Sequence, residues 1–325
     1  MADSPPVYAD LIDAAARIFP YAVHTPLLIP PVLAEAAGRP VAIKLETQQR
    51  TGTFKFRGAM NFLSRIPPRE RTAGVVAYSS GNHAQGVAAA ARLFGIPAAI
   101  VMPADAPSIK LERTRALGAE VITYDRASES REEIGEALAA ERGVTLVPPY
   151  DHPWTIAGQG TAGLEIAAQA AAAGFEFDRV LVPCGGGGLT AGIALALETA
   201  APQARVFTVE PDGYDDHARS FAAGSRIGID PDPPATICDA LLAPVPGEHT
   251  FAITRRLVDT GLTVNDDEVV AAMRFLFTEL KLVAEPGGAA GLGALLAGKV
   301  AGSGGVVVVV SGGNVDPGLL ARIIV

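Results

Sequence analysis

The chain has 325 residues, 49% of them hydrophobic and 19% charged, with a formal net charge of -9. That composition fits one large or two modest globular domains with a substantial core, and it excludes a disordered chain. The acidic balance argues against a general nucleic-acid binder, whose affinity comes mainly from lysine and arginine on phosphate.

The N-terminal residues 1–19, MADSPPVYADLIDAAARIF, lack a basic stretch followed by an apolar core, so no secretory signal is read there. From residue 41 onward, strand-like and helix-like segments alternate. "VAIKLE" (41–46) is rich in β-formers, and a helical "GAMNFLSRI" follows at 58–66. "GVVAYSS" (74–80) reads as a buried strand, 83–95 as a helix, and "AAIVMP" (98–103) as a strand. "IKLERTRALG" (109–118) then reads as a helix, "EVITYD" (120–125) as a strand and 130–142 as a helix. After the proline-rich "VPPYDHPW" (147–154), a hinge candidate, an alanine-rich helix over 165–174 ends at Gly174. "RVLVPC" (179–184), a helix from 189 to 199, "RVFTVEP" (205–211) and "GVVVVVSGG" (305–313) complete the series. Short hydrophobic strands separated by helices predict an α/β fold with mainly parallel sheets covered on both faces. Two strand–helix series, about 74–148 and about 178–211, predict two domains. The longest apolar runs are far too short to span a bilayer. Two cysteines, Cys184 and Cys238, are too few for a disulfide framework or a thiolate metal site. A soluble cytoplasmic protein with no nucleic-acid or membrane partner is expected.

Four stretches carry chemistry. "RTGTFKFRGA" (50–59) sets Lys55 between Phe54 and Phe56, with Arg50 and Arg57 nearby. The acidic net charge disfavours a nucleic-acid patch, which leaves the start of a helix and a lysine held for chemistry. "YSSGNHAQGVA" (78–88) ends a strand in Ser79, Ser80, Gly81, Asn82 and His83 before a helix. Hydroxyls, an amide and a helix N-terminus converging there suit a small carboxylate or a ring hydroxyl, although ordinary helix caps look alike. In "VLVPCGGGGLTAGIALAL" a strand runs into Gly185, Gly186, Gly187 and Gly188 before a helix begins near Leu189. Successive amides and a helix N-terminus can there cradle a phosphate, the other reading being a tight turn without ligand. Gly186-x-Gly188-x-x-Ala191 also fits the dinucleotide fingerprint, with Glu210 about 20 residues further on. "VVVVVSGGN" ends a buried strand in Ser311 and Asn314. Polar groups at the carboxyl ends of parallel strands should gather in one crevice.

The ordered set "TGTFKFRGA", "SSGNHAQG", "AGQGT", "PCGGGGLTAG" and "SGGN" resembles the fold-type-II pyridoxal-phosphate enzymes, more narrowly the serine/threonine dehydratase and serine racemase family. The resemblance runs from about residue 20 to the end. Family members often have serine where this chain has Thr53, which keeps the hydroxyl. A tryptophan-synthase-β-like fold is implied, with a large cofactor-binding domain of 1–52 and 150–325 and a small substrate-binding domain of 53–149. Lys55 would form the Schiff base with the cofactor, its pKa lowered by burial and a neighbouring cation, for which Arg57 is the candidate. Phe54 would lie near the ring, Gly185–Gly188 and the Leu189 amide would hold the phosphate, Asn82 the ring hydroxyl and Ser311 the ring nitrogen. Ser79, Ser80, Gly81, Asn82 and His83 would hold the substrate carboxylate.

The activity implied is a dehydratase, or ammonia-lyase, turning a β-hydroxy amino acid such as L-threonine or L-serine into a 2-oxo acid and ammonia. Lys55 would remove the α-proton. The alternatives are a serine or hydroxyaspartate racemase on the same site, with Ser80 moving the proton on the opposite face, and, further off, an NAD-dependent dehydrogenase. In "VEPDGYDDHARS", Glu210, the Tyr214 carbonyl and Asp216 would hold Mg2+ or Ca2+ by the same resemblance, the other reading being a solvated acidic loop. Glu285 is placed either near the ring or as a helix cap. His152 and Trp154 are expected at the substrate entrance, and Tyr150, Trp154 and 230–242 around its side chain. A homodimer is implied.

Overall fold

The computed structural model describes residues 4–79, 81–106 and 108–325. Among the described residues, ten strands lie at Leu27–Leu28 (β1), Val41–Leu45 (β2), Val75–Tyr78 (β3), Ala98–Pro103 (β4), Glu120–Tyr124 (β5), Thr145–Leu146 (β6), Arg179–Pro183 (β7), Arg205–Pro211 (β8), Val258–Val264 (β9) and Val306–Val310 (β10). They form two sheets, one of six strands in the order β1-β2-β10-β7-β8-β9 and one of four in the order β5-β4-β3-β6. Every pairing is parallel except β1 with β2.

The five consecutive valines of β10 explain its central place. Successive side chains point to opposite faces, so an all-apolar strand is stable only where both faces are covered. Val306, Val308 and Val310 join one core cluster with the helices Asp266–Thr278 and Pro286–Leu296. Val307 and Val309 join another with the helices Pro153–Ala173 and Gly188–Ala200. The second sheet divides in the same way. Val75, Ala77, Ile100 and Met102 pack on the helices Lys55–Arg65 and Asn82–Phe94, while Val76, Ala99 and Val101 face the helix Arg131–Arg142.

The predicted strands appear within a residue or two of their expected bounds, except that β10 ends at Val310, three residues short of 313. Two differences have physical causes. The alanine-rich helix extends back to Pro153, because a proline in the first helical turn gives up no hydrogen bond. Strand β9 was not foreseen, since Asp259 and Gly261 interrupt its apolar pattern and it covers a sheet edge.

The helix Lys55–Arg65 buries every residue from Phe56 to Leu63 and packs on both the Asn82–Phe94 and Pro153–Ala173 helices. It therefore ties the two sheets together. The carboxyl ends of β3, β7 and β10 open into one cleft beside its first turn.

Candidate active site

Lys55 stands in the first turn of its helix because the preceding chain is held in an unusual turn. Thr51 and Gly52 both have positive φ, 63° and 73°. A β-branched residue resists that conformation, so other contacts must hold it. Asn314 Nδ2 donates to the Thr51 carbonyl at 2.8 Å, the Phe54 amide donates to the Ser311 carbonyl at 3.1 Å, and Thr53 bridges Gly312. The "SGGN" end of β10 thus fixes the lysine turn. Lys55 Nζ donates to the Pro149 carbonyl at 2.8 Å and lies 5.2 Å from the Phe54 ring centre.

Burial lowers the Lys55 pKa from 10.5 to about 8, against a smaller opposing effect from Glu285. At neutral pH that shift raises the fraction of neutral, nucleophilic amine roughly 300-fold. Arg57, expected to contribute to this shift, does not. Its guanidinium turns away to Glu46 Oε2 (2.8 Å) and Glu165 Oε1 (2.6 Å), which cancel its charge.

The glycine loop is a cradle that side chains would fill. Gly187 has φ 87° and precedes the helix Gly188–Ala200, whose first amides have no side-chain cap. A Cβ on Gly186 would collide with the Tyr150 ring, and one on Gly188 would lie 2.5 Å from Gln159 Oε1. One on Gly187 would lie 2.6 Å from His217 Cε1. Thr250 Oγ1 anchors the loop by donating to the Gly186 carbonyl at 2.8 Å. Gly185 to Gly188 and Leu189 all line the cleft. Uncapped amides at a helix N-terminus suit a phosphate.

From β3, Ser79, Gly81, Asn82 and His83 reach the same cleft, while Ser80 lies outside the described residues. Asn82 is clamped from both sides. Its Nδ2 donates to Glu285 Oε1 at 2.6 Å and its Oδ1 accepts from Asn314 Nδ2 at 2.9 Å. Glu285, left between two roles by the sequence, begins the helix Pro286–Leu296 without capping it and lines the cleft. Burial raises its carboxyl to about 7. His83 sits 2.9 Å from the Val147 carbonyl through Nε2, and burial lowers its pKa to about 3. A carbonyl only accepts, so the ring is neutral with its proton on Nε2. His83 brings no charge to the cleft. Phe54 and Ser311 also line it.

His152 and Trp154 do not line the cleft. They pack edge-on against Phe62 and each other, and His152 Nδ1 caps its helix by accepting from the Trp154 amide. The lining instead includes Tyr78, Lys110, Arg126, Arg131, Pro149, Tyr150 and Asp239–Ala243, of which only Tyr150 and 239–242 were anticipated. Lys110 belongs to the helix Ser108–Ala116, to which the sequence assigned no role.

Behind the loop, Glu210 and Asp216 are fully buried. Glu210 accepts from the His217 and Ala218 amides at 2.8 and 3.0 Å, whereas neither Asp216 oxygen has a hydrogen-bond partner among the described residues. Burial raises both carboxyls above their ordinary range, and Asp216 pushes Glu210 further. Among the described residues, no three His, Cys, Asp or Glu side chains group as metal ligands.

A partly neutral lysine, an uncapped helix N-terminus, and amide and hydroxyl groups at the rim of one cleft answer to an aldehyde, a phosphate and an aromatic ring with polar substituents. Pyridoxal phosphate carries all of these, and the chain has the fold of the fold-type-II enzymes that use it. The chain belongs to the pyridoxal-phosphate dependent enzyme family, whose pattern matches residues 18–312. It is 46% identical to an L-threo-3-hydroxyaspartate ammonia-lyase of Saccharomyces cerevisiae, over 96% of this chain and 94% of that one. It is 48% identical to another of that name from a Pseudomonas species, over 95% of each. Maize serine racemase superposes with a TM-score of 0.92 at 39% identity, over 98% of this chain and 96% of that one. The protein is a pyridoxal-phosphate-dependent lyase of β-hydroxy amino acids, which removes the dinucleotide reading and with it the role of Glu210 on a ribose.

Proposed function

We propose that this lyase acts on a β-hydroxy amino acid with a second carboxylate, of the L-threo-3-hydroxyaspartate type, releasing oxaloacetate and ammonia. The observation that carries the reading is near-full-length identity of 46% and 48% to two lyases of that name. Lys110, Arg126 and Arg131 along the cleft suit an anionic substrate.

Pyridoxal phosphate supplies the electron sink that makes the α-proton acidic. Lys55 would hold the cofactor aldehyde until the substrate amino group displaces it, and the freed amine, whose lowered pKa suits it to the task, would then take the α-proton. The β-hydroxyl leaves as water, and the released enamine consumes one water in giving the 2-oxo acid and ammonia. Gly185–Gly188 and the Leu189 amide hold the phosphate, Ser311 the ring nitrogen, Asn82 the ring oxygen, and Phe54 one side of the ring. The Ser79–His83 turn, Ser80 included, holds the α-carboxylate, the neutral His83 contributing its backbone amide at a helix N-terminus. We divide the chain into a cofactor-binding domain of 1–52 and 150–325 and a substrate-binding domain of 53–149. We further propose a cytoplasmic homodimer.

The test is incubation of the purified holoenzyme with L-threo-3-hydroxyaspartate, L-serine and L-threonine, measuring 2-oxo acid, ammonia and D-amino acid. Oxaloacetate should form with the highest kcat/KM of the three products. Predominant D-amino acid would make the protein a racemase, with Ser80 as the second base. Turnover of serine or threonine alone would remove the dicarboxylate reading.

We also propose Mg2+ or Ca2+ on Glu210, Asp216 and the Tyr214 carbonyl, because two buried carboxylates with one left unpartnered are costly without a cation. His217 follows Asp216 and backs Gly187, so the cation would brace the cofactor loop. Chelation should lower the thermal midpoint by several degrees, and added Mg2+ or Ca2+ should restore it. Asp216→Asn should remove that response, and an unmoved melting curve on chelation would reject the site.

A further inference from the structure

Lys110 lies on the helix Ser108–Ala116, and its Nζ donates to Asp239 Oδ2 at 2.6 Å across the cleft. Asp239 opens the short turn Asp239–Leu241, which leads along the opposite wall. The lysine stem also covers the turn after β3. A Cβ on Gly81 would lie 3.3 Å from Lys110 Cδ and 3.5 Å from Nζ. The ammonium therefore stands directly over the turn assigned to the α-carboxylate.

Apart from Lys55, the other two cationic side chains in the lining are differently engaged. Arg126 pairs at 3.2 Å with Asp105, and Arg131 pairs at 2.8 Å with Glu132 while covering the Tyr78 ring. Neither Asp105 nor Glu132 lines the cleft. Among the described residues, Lys110 is the one cation there whose ion-pair partner also lines it. The two ends of that pair differ in exposure, with the Lys110 side chain at 12% and that of Asp239 at 51%. An exposed carboxylate that loses its lysine regains water at little cost, whereas a screened ammonium needs an anion. The pair is therefore built for exchange at one end only.

We propose that Lys110 is a specificity-determining residue that binds the second carboxylate of the substrate, and that Asp239 is the internal anion this carboxylate displaces. A substrate without a second carboxylate leaves Lys110 on Asp239, so the pair separates dicarboxylic from neutral β-hydroxy amino acids. The inference rests on the hydroxyaspartate reading and adds the residue that would enforce it.

The test compares kcat/KM for L-threo-3-hydroxyaspartate and for L-serine in wild type, Lys110→Met, Lys110→Arg and Asp239→Asn holoenzymes. Lys110→Met should lower the hydroxyaspartate-to-serine ratio at least tenfold, chiefly through KM. Lys110→Arg should restore most of it, and Asp239→Asn should raise it several-fold by removing the competing anion. Succinate, which has both carboxylates and no amino group, should raise the thermal midpoint of wild type and not of Lys110→Met. A ratio that stays constant while both substrates fall together would make the pair a structural clasp and overturn the inference, leaving the substrate reading intact. A wild-type enzyme that makes no oxaloacetate would remove both.

Discussion

Replacing Lys55 by alanine abolishes turnover and leaves the fold in place. The loss should reach at least about 10^4-fold, the upper end of what a missing general base costs, because the same side chain also holds the cofactor. Little structural penalty accompanies it. Alanine is the best helix former, and Lys55 contributes one hydrogen bond, to the Pro149 carbonyl. That carbonyl keeps the Gln159 amide at 3.5 Å as a second donor. Circular dichroism and the thermal midpoint should therefore stay close to wild type, while borohydride should fix pyridoxal phosphate on the wild-type chain and not on the variant. Cofactor should still bind reversibly through the glycine loop. Residual turnover above one part in a thousand, or cofactor still fixed by borohydride, would place the reactive amine elsewhere.

How far this site was legible follows from sequence separation. The glycine loop and the strand-end polar clusters were readable because each is local: a valine-rich strand, a run of glycines or hydroxyls, then a helix. The α/β class followed from the same alternation. Asn82, Asn314 and Glu285 lie far apart in sequence, and nothing in "SGGN" or "AEPGG" says that they share a hydrogen-bonded chain. Lys110, and with it the pairing to Asp239 within the expected 230–242, was missed for the same reason, the two being 129 residues apart. His152 and Trp154 were misplaced because aromatic residues at a hinge can face a cleft or a core with equal ease, and the Phe62 ring decides for the core. Arg57 shows the limit most plainly. Proximity in sequence to Lys55 suggested an electrostatic role, while the helical twist sends the two side chains in different directions. Two residues apart on a helix is roughly 200° around the axis, so the pair cannot face one another.

What Arg57 does instead leads to the second large effect. Its side chain is 1% exposed, Glu46 and Lys44 are 0% exposed, and Glu165 is 15% exposed. Arg57 bridges Glu46 and Glu165, and Lys44 Nζ reaches Glu165 Oε2 at 2.6 Å and the Thr25 carbonyl at 2.6 Å. Two cations and two anions balance, and burial without that balance would cost several kcal/mol per ion. The quartet joins three elements that locate Lys55: β2 and the residue after it, the first turn of the Lys55–Arg65 helix and the middle of the Pro153–Ala173 helix. Arg57→Met strands Glu46 without a cation, whereas Glu165 keeps Lys44. Unfolding stability should fall by about 3–5 kcal/mol, the usual cost of leaving one buried charge unpaired. Arg57→Lys should fall between the two, since one ammonium cannot make both the forked contact to Glu46 and the contact to Glu165. The double variant Arg57→Met with Glu46→Leu should recover part of the loss, because it removes the stranded charge along with its partner. Denaturant midpoints measured on these three and on Glu46→Leu alone, with and without cofactor, check this. An Arg57→Met chain as stable as wild type would mean that Glu46 is held by its neighbours alone. A double variant weaker than the sum of the two single ones would mean that packing, rather than charge, is what this quartet supplies.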